Sequence, residues 1–278
     1  MAKKLTFVFL GLLILTAIAY SGYLIWKPVQ AQVTILIAGS STVDAYTQVL
    51  AEEYIKKHPN VTIDHIGGGS TPGLLALKKG AIDLATMSRT LKWTEEDEYT
   101  RQYLIGKNGV AIGVHLSNPV KNLTKNQVYQ IMSGKITNWS EVGGNNAEIQ
   151  VLGRAKGSTT RIMIEDLVMQ GAPFTETLKS FTSADELRTA LEGNPNAIGI
   201  LGLQDSKDTI KRVTIEGVDM TPSTILSNRY PLTRSFYFVW HSEPGAAEAE
   251  KHKLDFLNFV RSEEGQKIIE KRGGVRVY

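Results

Sequence analysis

The stretch VTILIAGSSTVDAYTQVLAEEYIKKHP, Val33 to Pro59, decides the fold. Val33 to Ala38 is an apolar run of strand length, and Gly39-Ser40-Ser41-Thr42 ends it. From there Val43, Tyr46, Val49, Leu50 and Ile55 recur at helical spacing until Pro59 stops the pattern. The unit is strand, polar loop, helix. Working outward, Val61, Ile63 and His65 alternate like a strand before Gly67-Gly68-Gly69-Ser70-Thr71. Pro72 then suits a first helical turn, Leu74, Leu75 and Leu77 follow, and Gly80 is the stop. Ala81 to Thr86 forms the next short strand, ending at Ser88-Arg89. This β-α-β-α-β order predicts an α/β protein with a parallel sheet, its polar loops gathered at the carboxyl ends of the strands, where such sheets bind ligands.

The logic repeats further on. Val110 to His115 reads as a strand leading into Asn118-Pro119, and Thr124 with Gln127 three residues later predicts a capped helix ending at Gly134. Ile149 to Leu152 is a strand followed by Gly153-Arg154-Ala155-Lys156-Gly157-Ser158-Thr159-Thr160-Arg161 and a helix carrying Ile162, Met163, Leu167 and Val168. Ser183 with Glu186 caps another helix, Ala197 to Leu201 and Ser235 to Trp240 are strand-like, and Ala246 to Lys271 closes with a helix pair. Taking residues near 110–115 and 235–240 as the two crossings between lobes predicts one lobe of residues 32–115 plus 228–278 and a second of 116–227.

Composition narrows the function. The 278 residues are 42% apolar and 21% charged, with 31 basic against 28 acidic side chains well mixed, which disfavours nucleic-acid binding and suits a small anionic ligand. There is no cysteine, so disulfides, thiolate catalysis and thiolate metal sites are excluded. The five histidines show no metal-ligand spacing, and no G-x-S-x-G or S-x-x-K pattern occurs. No metal, cofactor or catalytic residue is expected. Lys3 and Lys4 precede an apolar run from Leu5 to Trp26, and Val29 and Ala31 fit the small-residue rule for signal cleavage. Residues 1–31 therefore read as an export signal cleaved near Ala31 or as an uncleaved membrane anchor, either placing the folded part outside the cytoplasm.

Four polar stretches thus follow predicted strands. A helix start leaves N–H groups unpaired and carries the positive end of the helix dipole, so several starts aimed at one point form an oxyanion receptor. Gly39 to Thr42 alone reads more readily as a turn plus cap than as a ligand loop, Gly67 to Gly69 alone as an ordinary turn, and Arg154 and Arg161 by default as solvated charges; their joint placement points to a site.

The strings Gly39-Ser40-Ser41-Thr42-Val43, Gly67-Gly68-Gly69-Ser70, Ala81-Ile82-Asp83 through Ser88-Arg89, Gly134-Lys135-Ile136-Thr137-Asn138-Trp139, Gly153 through Arg161, Asn194-Pro195-Asn196-Ala197-Ile198-Gly199 and Tyr230-Pro231-Leu232-Thr233-Arg234 occur in the order seen in substrate-binding proteins of high-affinity phosphate ABC transporters. The resemblance spans nearly all of residues 33–278. It implies a type II periplasmic-binding-protein fold, two Rossmann-like lobes joined by two crossover segments. It also implies a monomeric carrier that takes inorganic phosphate to a membrane permease and ATPase without covalent chemistry. Position by position, it implies ligand contacts from Ser41, Thr42 and Val43, from Ser70, from Ser88 and Arg89, and from Arg154, Gly157, Ser158, Thr159 and Thr160.

Departures from the pattern bear on ligand choice. Ser88 stands where some members place an Asp that accepts the ligand's proton, Lys156 where some have an Asp that moderates the arginine, and Thr159 replaces the usual Gly. Asp44 and Asp83 are the candidate acceptors in this chain. The rival readings are a membrane-tethered oxyanion sensor and a phosphatase using Ser41 or Ser158 as nucleophile.

Overall fold

Strand β1 (Val33–Gly39) buries Ile35 and Ile37 at a spacing of two, and helix α1 (Ser41–Lys57) turns Val43, Tyr46, Leu50 and Tyr54 inward at helical spacing. The computed structural model describes residues 32–205, 208–242 and 250–278, and the expected leader or anchor, residues 1–31, lies outside them. After α1 come β2 (Val61–Gly67), α2 (Ser70–Lys78) and β3 (Leu84–Met87). β1 and β3 pair in parallel, Ile37 opposite Leu84, as the strand-loop-helix repeat requires.

Two further strands organise the sheet. β4 (Thr100–Val114) and β10 (Thr233–His241) run antiparallel beside each other, and β10 also pairs with β3. β4 changes neighbours part-way: residues 100–109 face β10, while Val110–Val114 pair with β8 (Ala197–Gly202) and Ile112–Val114 also with β9 (Lys211–Ile215). Beyond β8 lie β6 (Gln150–Arg154) and β7 (Lys179–Phe181), both in parallel register. The strand order is β2-β1-β3-β10-β4-β8-β6-β7, and a short β5 (Asn122–Leu123) pairs with β9 off this path. The remaining helices are α3 (Lys125–Met132), α4 (Thr159–Ile164), α5 (Ala184–Glu192), α6 (Pro222–Leu226), α7 (Lys251–Arg261) and α8 (Glu263–Lys271). A π-helical turn, Glu165–Met169, continues α4. Both expected capping boxes form, Thr124 with Gln127 and Ser183 with Glu186.

Residues 34–278 form one compact unit with separate hydrophobic clusters. One gathers Ile35, Leu50, Leu84, Phe236, Phe238, Trp240, Phe256 and Val260, with Leu74, Leu77, Met87 and Val239 in a smaller cluster under α2. The larger cluster draws on Val110 through Leu232 and on Val275. The chain leaves the first at Gly109–Val110, and residues 230–232 return it: Val110 N–H donates to Leu232 O and Tyr230 Oη to Val110 O. Residues 235–240, read in the sequence as a crossing, pack inside the first clusters, because alternate side chains of β10 serve the two faces of its sheet.

Candidate functional site

Three of the four polar stretches are bound directly to one another. The Gly39 carbonyl accepts from both Gly68 N and Gly69 N at 2.7 Å, and Ser40 N donates to Thr86 O at 2.8 Å. A Cβ on Gly39 would lie 2.1 Å from Thr86 O, and one on Gly73 would lie 2.6 Å from Gly39 Cα, so these backbones touch only because both residues are glycine. At the third corner Ser88 N donates to Ser70 Oγ at 3.2 Å, and the Ser70 and Ser88 hydroxyls stand 3.5 Å apart. Ser40 is the residue before α1, and its carbonyl accepts from Val43 N and Asp44 N. The N–H groups of Ser41 and Thr42, at the helix start, precede any helical acceptor.

The fourth stretch lines a cavity of about 440 Å³ through Arg154, Gly157, Ser158, Thr159 and Thr160, with Ala45, Tyr46, Asn108, residues 202–205 and residues 271–273 completing its wall. Ser158 caps α4 by accepting from Arg161 N at 3.2 Å, which leaves its hydroxyl proton for another partner. Arg154 Nη2 donates to Thr182 O at 3.0 Å, while its Nε is buried without an acceptor. Arg161 is built into the protein: it pairs with Glu165 at 2.7 Å and stacks on Phe174 at 3.8 Å. Burial raises the Tyr46 phenol above its ordinary value, so it stays neutral and accepts from Asn108 Nδ2. Ser41, Ser70 and Ser88 do not line this cavity. Two connections join the groups: α1 carries Ser41 and Tyr46, and Arg234 joins Ser88 to Asp166 of the π turn. A larger hollow of 770 Å³ between α1 and α8 is walled by Glu52, Glu53, Glu263, Glu264 and Lys267 and touches none of the four loops.

A model described as PBP superfamily domain matches residues 27–264. The chain belongs to the PBP superfamily. An ABC-type phosphate transport receptor from Vibrio cholerae is 33% identical, superposes with a TM-score of 0.73, and is matched over 99% of its length and 87% of this chain. A Clostridium perfringens ABC transporter substrate-binding protein solved with bound phosphate is 33% identical with a TM-score of 0.59, over all of that chain and 88% of this one. The phosphate-binding protein PstS of Bacillus subtilis is 25% identical over 245 residues, 86% of this chain and 79% of its own. These names describe binding and transport, and the relatives are not enzymes.

Within the PBP domain, several side chains stand apart from the positions expected of them. Val43 is fully buried in the core and its N–H is spent on Ser40 O, so it offers the cavity nothing. The two candidate acceptors are engaged elsewhere: Asp83 Oδ2 takes Leu36 N at 2.8 Å, and Asp44 pairs with His65 at 2.8 Å. Arg89 is spent within the protein: both Nη atoms grip Glu95, at 2.7 and 2.8 Å, and Nη2 also donates to Thr71 Oγ1 of the second loop at 3.1 Å. That grip holds the Glu95 carboxyl at about 2, against an ordinary 4.5. A depressed folded value adds stability that is full above the unfolded pKa and lost as pH falls through the folded one, here between 4.5 and about 2. Unfolding free energies measured in urea across that window are expected to fall less steeply in Glu95→Gln, by on the order of 1 kcal/mol after solvent screening; parallel curves would contradict the pairing. Arg234 and Asp166 were not foreseen as part of this region. The available signal was Arg234 itself, which ends the Tyr230-Pro231-Leu232-Thr233-Arg234 string of the resemblance without being assigned a ligand contact there.

Proposed function

We propose that this chain is an exported binding protein that captures inorganic phosphate and delivers it to an ABC transporter permease and its ATPase. The anion sits between the part of the chain that carries the Gly39, Gly68 and Ser88 loops and the part that carries Arg154 to Thr160. Ser41, Thr42, Ser70 and Ser88 donate from one side, and Arg154, Gly157, Ser158, Thr159 and Thr160 from the other. The observation that carries this reading is the convergence of the Gly39, Gly68 and Ser88 loops through direct hydrogen bonds, with the first N–H groups of α1 left over. A dehydrated phosphate needs many donors, and each charge-assisted bond is worth roughly 1.5 to 3 kcal/mol. The phosphate-bound relative from Clostridium perfringens supports the choice of anion. Titration calorimetry of the purified chain with phosphate and with sulfate tests it. One-to-one phosphate binding that exceeds sulfate binding, with no release of phosphate from a phosphoester, is expected. Equal or absent binding of the two anions, or phosphoester turnover, counts against it.

A further inference from the structure

Arg234, the second residue of β10, lies directly opposite Asn108 of β4. Residues opposed in an antiparallel pair project from the same face of the sheet, and Asn108 lines the 440 Å³ cavity; Arg234 stands outside that cavity, against Ser88 on the loop side. The Arg234 side chain is 8% exposed. Its Nη1 donates to Asp166 Oδ2 at 2.6 Å and reaches Ser88 Oγ at 3.5 Å, which is itself 3.5 Å from Ser70 Oγ. Its Nε is buried and has no acceptor. Among the described residues only Arg154 shares that state as an arginine, and Arg154 lines the cavity. A buried cationic donor without a partner is costly, and the Nε–Nη2 edge is the planar fork that fits an oxyanion.

We propose that Arg234 is a second anion-contacting arginine of this site and that Asp166 moderates its charge. The inference rests on the phosphate reading above. Asp166 shares Arg234 with the anion, so it holds the guanidinium in place at some cost to anion affinity. The two residues therefore act with opposite sign on binding. A merely structural clamp predicts the same sign for both, since either change breaks the one ion pair.

The test is calorimetric titration of the full chain with inorganic phosphate and with sulfate, for the wild type, Arg234→Gln and Asp166→Asn, each checked by thermal melting. Arg234→Gln is expected to raise the phosphate Kd about tenfold or more. Asp166→Asn, at a side chain 52% exposed, is expected to lower the Kd for both anions about threefold or more. Should Arg234→Gln fail to melt cooperatively, Asp166→Asn decides alone: tighter binding supports the proposal, and unchanged or weaker binding overturns it. Wild-type phosphate binding with both variants weakened, or with Arg234→Gln unaltered, overturns this proposal and leaves the phosphate reading standing. No binding of either anion by the wild type overturns both.

Discussion

Arg154→Ala is expected to weaken phosphate binding by about 2 kcal/mol or more, a rise of roughly thirtyfold in Kd. The side chain lines the cavity, and one donor is fixed on Thr182 O while the buried Nε has no acceptor. Truncation removes the charge and the fork together. Arg154→Lys keeps the charge without the planar two-pronged geometry and should fall between. The contrast with Arg161 sharpens the expectation, because that guanidinium is already occupied by Glu165 and Phe174. Arg161→Ala should lower the melting temperature more than it alters binding. Calorimetry showing an unchanged Kd for Arg154→Ala would remove the arginine from the site.

Gly39→Ala should be the most damaging of the small substitutions. Its φ of 147° is one that side chains rarely adopt, and the added carbon would stand 2.1 Å from Thr86 O and 2.7 Å from Thr86 Oγ1. Backbone atoms cannot rotate away, so β1 and β3 must part, at a cost of about 3 kcal/mol or more from overpacking and dihedral strain. For a chain of this size that corresponds to a fall of roughly 10 °C in Tm. Gly68→Ala is the control. Its Cβ would meet nothing within 4 Å and its φ is not positive, so a change under about 0.5 kcal/mol is expected. Similar melting curves for the two variants would show that the close approach at Gly39 is not real.

The local grammar of the fold was legible where it depends on neighbours in sequence. The strand-loop-helix units at 33–57 and 61–78 and both capping boxes follow from residue spacing alone. What escaped depends on partners far along the chain. Thr100 to Gly109 has only the short apolar run Tyr103-Leu104-Ile105, set between Arg101, Gln102, Lys107 and Asn108, yet all of it is strand because β10 pairs along it. Lys107 is buried there, its ammonium held by Leu226 O and Asn228 Oδ1 at 2.7 and 2.8 Å, a compensation that spacing does not reveal. The site shows the same division. Loop positions could be read from glycines and hydroxyls, whereas the diversion of Arg89 to Glu95 and the union of Arg234 with Asp166 needed tertiary geometry.

The neighbour exchange of β4 also bears on how the molecule comes together during synthesis. Apart from Val275, the cluster built from Val110 to Leu232 is drawn from one uninterrupted segment, so it can condense as soon as that segment is made. β1, α1 and β3 emerge earlier but must wait for Phe236, Phe238 and Trp240 to complete their core. Assembly can thus begin in the middle of the chain, with the first-made strands among the last to be sealed.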